Sequence, residues 1–266
     1  MIKADLANFD QKKYHVEYKK LTKIYEEKVI DKRATICTVK KLGRVNSELF
    51  DIGVYEQNLR IDSYDNFQRK IEESLLDILF LRIDKNFNLY KVLNKDLIYK
   101  KLKIIKEMSE NIDFLEMDFS ILKIEKILEN DDYLNFVIRK YKFYDCFFSE
   151  IYTGFYKNLR GFLKGNEYVT DLMPNITIPL NLKLEETGLR KYQITGELDT
   201  IKLSELNFCE QIMKKTGLNI TKIELFYKND IEMDENNIIR NSKKKFILEA
   251  DNKFLHGREI NIKEEV

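Results

Sequence analysis

Two acidic strand ends and one lysine have the spacing best suited to catalysis in this chain. Gly196-Glu197-Leu198-Asp199 closes one alternating segment, and Glu249-Ala250-Asp251-Asn252-Lys253 closes another. A carboxylate from each of two neighbouring strands can hold Mg²⁺, and the bound cation can activate a water for phosphodiester cleavage. Asp199 and Asp251 would then be the metal ligands, and Lys253 would complete the catalytic set.

This acid, then acid-x-Lys order resembles the bipartite D…(D/E)-x-K arrangement of restriction-type nucleases. The resemblance covers only these few residues, and the spacing between its halves is long. It implies a metal-dependent nuclease, which stands as the alternative reading. The bland reading is a pair of solvated strand termini in a chain that is 34% charged. Other chemistries have less support. His15 and His256 are the two histidines, and nothing places either beside a nucleophile and an acid as a triad requires. Cysteines and histidines do not come at zinc-ligand spacing. Neither G-x-x-x-x-G-K-[ST] nor G-x-G-x-x-G is present. No cofactor is implied. Glu185-Glu186 reads as a hairpin end.

The densest feature is aromatic. Between Asp131 and Phe162, an amphipathic helix pattern with Leu134, Val137, Ile138, Tyr141, Tyr144 and Phe148 on one side runs into rings broken by Gly154 and Gly161. Large rings bury much area per residue, and tyrosine tolerates a wet rim. Tyr152, Phe155, Tyr156, Arg160 and Phe162 are therefore the candidate binding residues. Lys142, Lys157, Arg160 and Lys164 interleave with the rings, a pattern that also suits stacking on single-stranded nucleic acid. The competing reading packs Phe143 to Phe148 into the core.

Lys and Arg number 46 against 45 Asp and Glu, so net charge does not support a nucleic-acid partner. A protein partner is expected instead. Cys37, Cys146 and Cys209 are scattered, which suits thiols in a reducing compartment. No apolar run reaches membrane-spanning length and the N-terminus has no signal-like core, so a soluble, cytoplasmic protein away from membranes is expected. The Ile-, Lys- and Asn-rich composition fits an AT-rich genome. The function read from the residues is a non-catalytic interaction protein: an adaptor, chaperone-like protein, inhibitor, or bacterial, phage or secretion accessory.

The elements that would position these residues follow from periodicity. Alternation at Tyr14–Tyr18, Arg33–Leu42 and Glu48–Ile61 predicts an antiparallel meander. A helical period then covers Asp65–Phe80, Lys95–Met108, Phe114–Leu128 and the segment after Asn130. Gly161 and Gly165 punctuate a loop. Ile176–Leu184 and Leu189–Leu198 read as a hairpin, with Pro179 marking an edge or bulge. A short helix from Ser204 to Lys215 stops at Gly217, and Leu218–Tyr227, Lys245–Asp251 and Glu259–Lys263 are strands. Asn229–Ser242 reads as a polar loop, and Lys243-Lys244-Lys245 as a solvated face. The expected fold is α+β, with antiparallel sheet segments at both ends flanking a central group of about four helices. Its two regions are residues 1–165, a meander with helices, and 166–266, β-rich with one short helix, with a single domain as the alternative.

Overall fold

A computed structural model describes residue 2 and residues 4–62, 75–109, 115–152, 162–168, 177–205 and 207–265. Among these described residues eleven strands join into one antiparallel sheet, and this replaces the expected separate sheet segments flanking a helical centre. The strands are β1 (Gln11–Ile24), β2 (Glu27–Arg44), β3 (Leu49–Asp62), β4 (Ile78–Asp84), β5 (Leu89–Val92), β6 (Phe162–Tyr168), β7 (Thr177–Gly188), β8 (Lys191–Leu198), β9 (Ile223–Met233), β10 (Ile239–Ala250) and β11 (Phe254–Glu264). Their order is β5-β4-β3-β2-β1-β11-β10-β9-β8-β7-β6. The chain thus starts at the centre, walks out to one edge, crosses to the other edge and walks back. The seam is the β1–β11 pair, running from Tyr14 opposite Glu264 to Ile24 opposite Phe254. Nothing local in either strand announces a partner more than two hundred residues away, so periodicity finds the first meander and several later strands but not their union. The boundary at 165/166 falls within β6.

The crossing segment carries helices α1 (Lys95–Ser109), α2 (Leu115–Glu129), α3 (Asp131–Arg139) and α4 (Lys142–Phe147), then a 3₁₀ turn over Glu150–Tyr152. Helices α5 (Thr200–Glu205) and α6 (Phe208–Thr216) follow β8. The side chain of Asn130 accepts the Tyr133 amide at 2.9 Å and caps α3. Asn94 works differently from a simple cap. Its amide reaches back to β4, accepting from Phe80 N and donating to Ile78 O, both at 2.9 Å, while its carbonyl accepts from Leu97 N. The expected helix through Phe80 therefore ends before Ile78, where β4 begins.

The amphipathic helix after Asn130 is also shorter than its pattern. It ends at Arg139 with Lys140 as its C-cap, and Lys142, the first residue of α4, adopts a positive φ of 37°. The bend turns the aromatic run down onto the central strands, and α4 packs on β10 and β11. Every residue of α4 is buried. Phe147 is the hub, with ring centroids 4.9 Å from Phe87, 4.9 Å from Phe143 and 5.8 Å from Tyr14. Phe87 reaches this cluster from the β4–β5 turn through a positive φ of 62°. Asp84 steadies that turn by accepting the Asn86 and Asn88 amides.

Three local readings change with the sheet. Asn229–Ser242 is not a loop: β9 and β10 consume all of it except residues 234–238, and Asn229 and Ser242 are buried, joined by a 2.8 Å hydrogen bond. Gly165 lies within β6 opposite Leu180. Pro179 sits on the penultimate strand, where β8 peels away. Its carbonyl accepts Asp199 N at 2.9 Å, and the Asp199 carbonyl accepts Leu203 N in the first turn of α5. The proline's missing N–H thus faces an acceptor already used by a helix. At Gly196, opposite Tyr227, an added Cβ would meet the ring's Cδ1 at 2.9 Å, so the glycine lets Tyr227 lie flat on β8.

Candidate functional site

The aromatic segment divides at Tyr152. This residue is enclosed: its hydroxyl donates to Asn237 O at 3.0 Å and accepts from Ile239 N at 3.1 Å. Burial pushes its phenol far above the ordinary range. It pins the 3₁₀ turn to the β9–β10 connection. Phe155, Tyr156 and Arg160 lie outside the described residues. Phe162 opens β6 with its backbone, and its side chain is outside the described set.

The acid-x-Lys pattern is divided among three separate jobs. Asp199 is buried and accepts Lys202 N at 3.3 Å at the start of α5. Asp251 sits in the β10–β11 turn at φ 48° and accepts Thr221 N at 2.6 Å and Lys222 N at 2.8 Å. The Thr221 amide bond leads the effects that hold the Asp251 carboxyl below its usual range. Lys253 donates to Asn219 O at 2.9 Å. Asp199 leaves β8 and Asp251 leaves β10, two strands apart, which separates their backbones by about 9–10 Å. Among the described residues no group of three or more His, Cys, Asp and Glu is placed to hold a metal ion.

The structure instead converges a different set of charged residues, centred on Lys244, which the sequence reading placed on a solvated face. Lys244 is 1% exposed and lies under α4. Its Nζ donates to Asp145 Oδ1 at 2.9 Å and to Glu150 Oε1 at 3.2 Å. Arg258 donates to Asp145 Oδ2 at 3.0 Å, and Lys140 stands 3.3 Å from Glu150. Burial alone would raise the Asp145 carboxyl, but Lys244, Lys140 and Arg258 outweigh it and hold it well below the usual range. Burial disfavours the Lys244 ammonium, and Asp145 and Glu150 overcome that, so it stays charged. The cluster clamps the bent helix onto β10 and β11. The signal available in sequence was parity: Ser242, Lys244, Phe246, Leu248 and Ala250 share the covered face of β10.

His256 is another buried titratable group on that face. Its Nδ1 lies 3.3 Å from Thr22 Oγ1. Burial, helped by Lys20, brings its pKa down to about 3. An unfolded histidine titrates near 6.5, so between these values the unfolded chain holds a proton that the folded chain refuses. Stability should fall by about 1.4 kcal/mol per pH unit as pH drops below about 6.5. Urea melts across this range check it: the difference between wild type and His256→Gln should shrink with acidification, and a constant difference would contradict the assignment.

The opposite face of the sheet has a different character. Successive strand partners Phe226, Ile247, Gly257, Leu21 and Ile30 form one row across β9, β10, β11, β1 and β2. Phe226 is 48% exposed, and Lys245 Nζ lies 5.6 Å from its ring centre. Exposed lysines and acids flank the row, including Lys19, Lys32, Lys243 and Glu17. No helix among the described residues is long and apolar enough to cross a membrane.

No family model and no curated protein matches the chain. Among solved structures, one of lipid–protein interactions in lipovitellin is similar at a TM-score of 0.43 and 8% identity, covering 96% of this chain. The chain spans 25% of that protein's length.

Proposed function

We propose that this is a non-catalytic binding protein that holds a protein partner across the open face of its sheet. The observation that carries the reading is the contrast between the two faces. One is sealed by an aromatic helix and buried ion pairs, while the other presents the half-exposed Phe226 within a row of aliphatic side chains. From β7 to β2 this face measures roughly 29 Å across the strands, and ten residues along them add roughly 33 Å. Such an area exceeds the about 800 Å² per partner of a standard interface. The reading keeps the protein partner expected from the sequence and moves its seat from the aromatic segment to the sheet. Cys37, Cys146 and Cys209 are free thiols, which suits a reducing, cytoplasmic setting.

A photo-crosslinking amino acid at position 226 tests this in the cells that make the protein. A discrete macromolecular adduct is expected from position 226 and from Ile30. None is expected from Tyr90, which is 61% exposed on the far edge strand. Equal labelling from all three positions would remove the proposal.

A further inference from the structure

From the charge pattern beside the apolar row we infer that the partner presents an acidic, amphipathic segment to the open face. The inference rests on the open-face reading and adds the partner's chemistry. One residue pair away from the Phe226 row runs a second line of strand partners: Lys183, Thr195, Lys228, Lys245, Glu259, Lys19 and Lys32. Five of these seven are lysines on one face of consecutive strands β7, β8, β9, β10, β11, β1 and β2. Lys228 stands directly opposite Lys245, and Lys19 directly opposite Lys32. Like charges directly opposite on neighbouring strands destabilise a sheet. Local acids relieve part of this: Lys228 pairs with Asp230 at 2.9 Å, Lys183 pairs with Glu185, and Glu259 pairs with Lys243 at 3.4 Å. Lys19 and Lys32 are exposed and have no ion pair among the described residues.

A basic line beside an apolar line suits a ligand with carboxylates along one side and apolar groups along the other. The details separate this from other anionic partners. Neighbouring strands rotate by about 20–25°, so the six steps of the line turn through about 120–150°. A flat bilayer cannot touch both ends of such a line, whereas a flexible polypeptide can follow it. A single-stranded nucleic acid would want stacked rings. Here Phe226 is the single ring of its row, and the other side chains are aliphatic. Carboxylates meeting the lysines and aliphatic groups meeting Ile247, Leu21 and Ile30 fit the pattern better.

The test uses a fluorescein-labelled random copolymer of glutamate and tyrosine, titrated with the full chain and followed by anisotropy. Binding is expected at about 50 mM salt and should weaken by roughly ten-fold at about 300 mM, because exposed charges are screened. The K19Q/K32Q/K228Q/K245Q variant should bind roughly ten-fold more weakly, with an unchanged or raised Tm because opposed cations are removed. Absence of copolymer binding, or equal binding by the variant, would overturn the inference. So would tighter binding of oligo-dT, or of phosphatidylserine vesicles. If the copolymer fails while cross-linking from position 226 persists, the acidic partner is lost and the open-face reading stands. If cross-linking fails as well, both are lost.

Discussion

Asp145→Ala should destabilise the protein by about 3–5 kcal/mol, because it removes the carboxylate shared by two buried cations. Lys244 and Arg258 have side chains 2% and 5% exposed, and each donates to a different oxygen of Asp145. Removing the carboxylate leaves Glu150, itself shared with Lys140, as the remaining acid on Lys244. Lys244→Met is the milder change, since Asp145 keeps Arg258 at 3.0 Å and Lys140 at 3.5 Å. The double variant should lose less than the sum of the singles, because one interaction is removed twice. Urea titration at neutral pH measures all three. The same carboxylate predicts acid sensitivity. Its folded pKa is depressed, so its contribution is fully present above the unfolded value of about 3.9 and is lost as pH falls below it. Equal stability of Asp145→Ala and wild type at neutral pH would mean that the cluster does not clamp α4.

Phe147→Ala should cost a comparable amount, about 3–5 kcal/mol, for a different reason. The ring is fully buried and packs against Tyr14, Phe87, Phe143 and Phe148. These neighbours come from β1, the β4–β5 turn and α4, so the cavity opens where the central strand, one edge of the sheet and the crossing helix meet. Tyr14 also donates from its hydroxyl to Ile239 O at 2.7 Å, tying the same cluster to β10. Collapse into the void would need movement of several elements at once. Leu189, 87% exposed in the β7–β8 turn, is the control, and its alanine variant should stay within about 0.5 kcal/mol of wild type. Thermal or urea melts of the two variants give the comparison. A small loss at Phe147 would show that the aromatic run is not the core of the crossover.

The sequence was informative wherever the deciding interactions are local. The first strands, the hairpin before Asp199, the Asn130 cap and the Gly217 stop all depend on neighbours within a few residues. Gly217 takes φ 71° and its N–H reaches Met213 O, as a left-handed helix stop requires. What could not be read is set at long range. The β1–β11 seam joins the two ends of the chain, and two separate sheets carry the same alternation. Lys244 looks solvated between Lys243 and Lys245, and only the partner acids on α4 and the turn after it make its burial tolerable. Asn229 looks like a loop residue until Ser242 and Ser149 supply its hydrogen bonds. Tyr152, the expected binding residue whose side chain is described, is likewise placed by a distant contact. Sequence marks Tyr152 as a ring beside glycines, but the carbonyl that receives its hydroxyl lies 85 residues away. The open face was hidden for the same reason: its rows exist only once seven strands lie side by side.

Lysine acetylation footprinting tests the open face most directly, comparing the protein inside the cells that make it with the purified chain. Lys19, Lys32 and Lys245 should react readily in the purified protein and be protected in cells, while Lys244 should stay unreactive in both. Equal modification of Lys19, Lys32 and Lys245 in the two settings would show that nothing covers this face, and would contradict the function assigned to it.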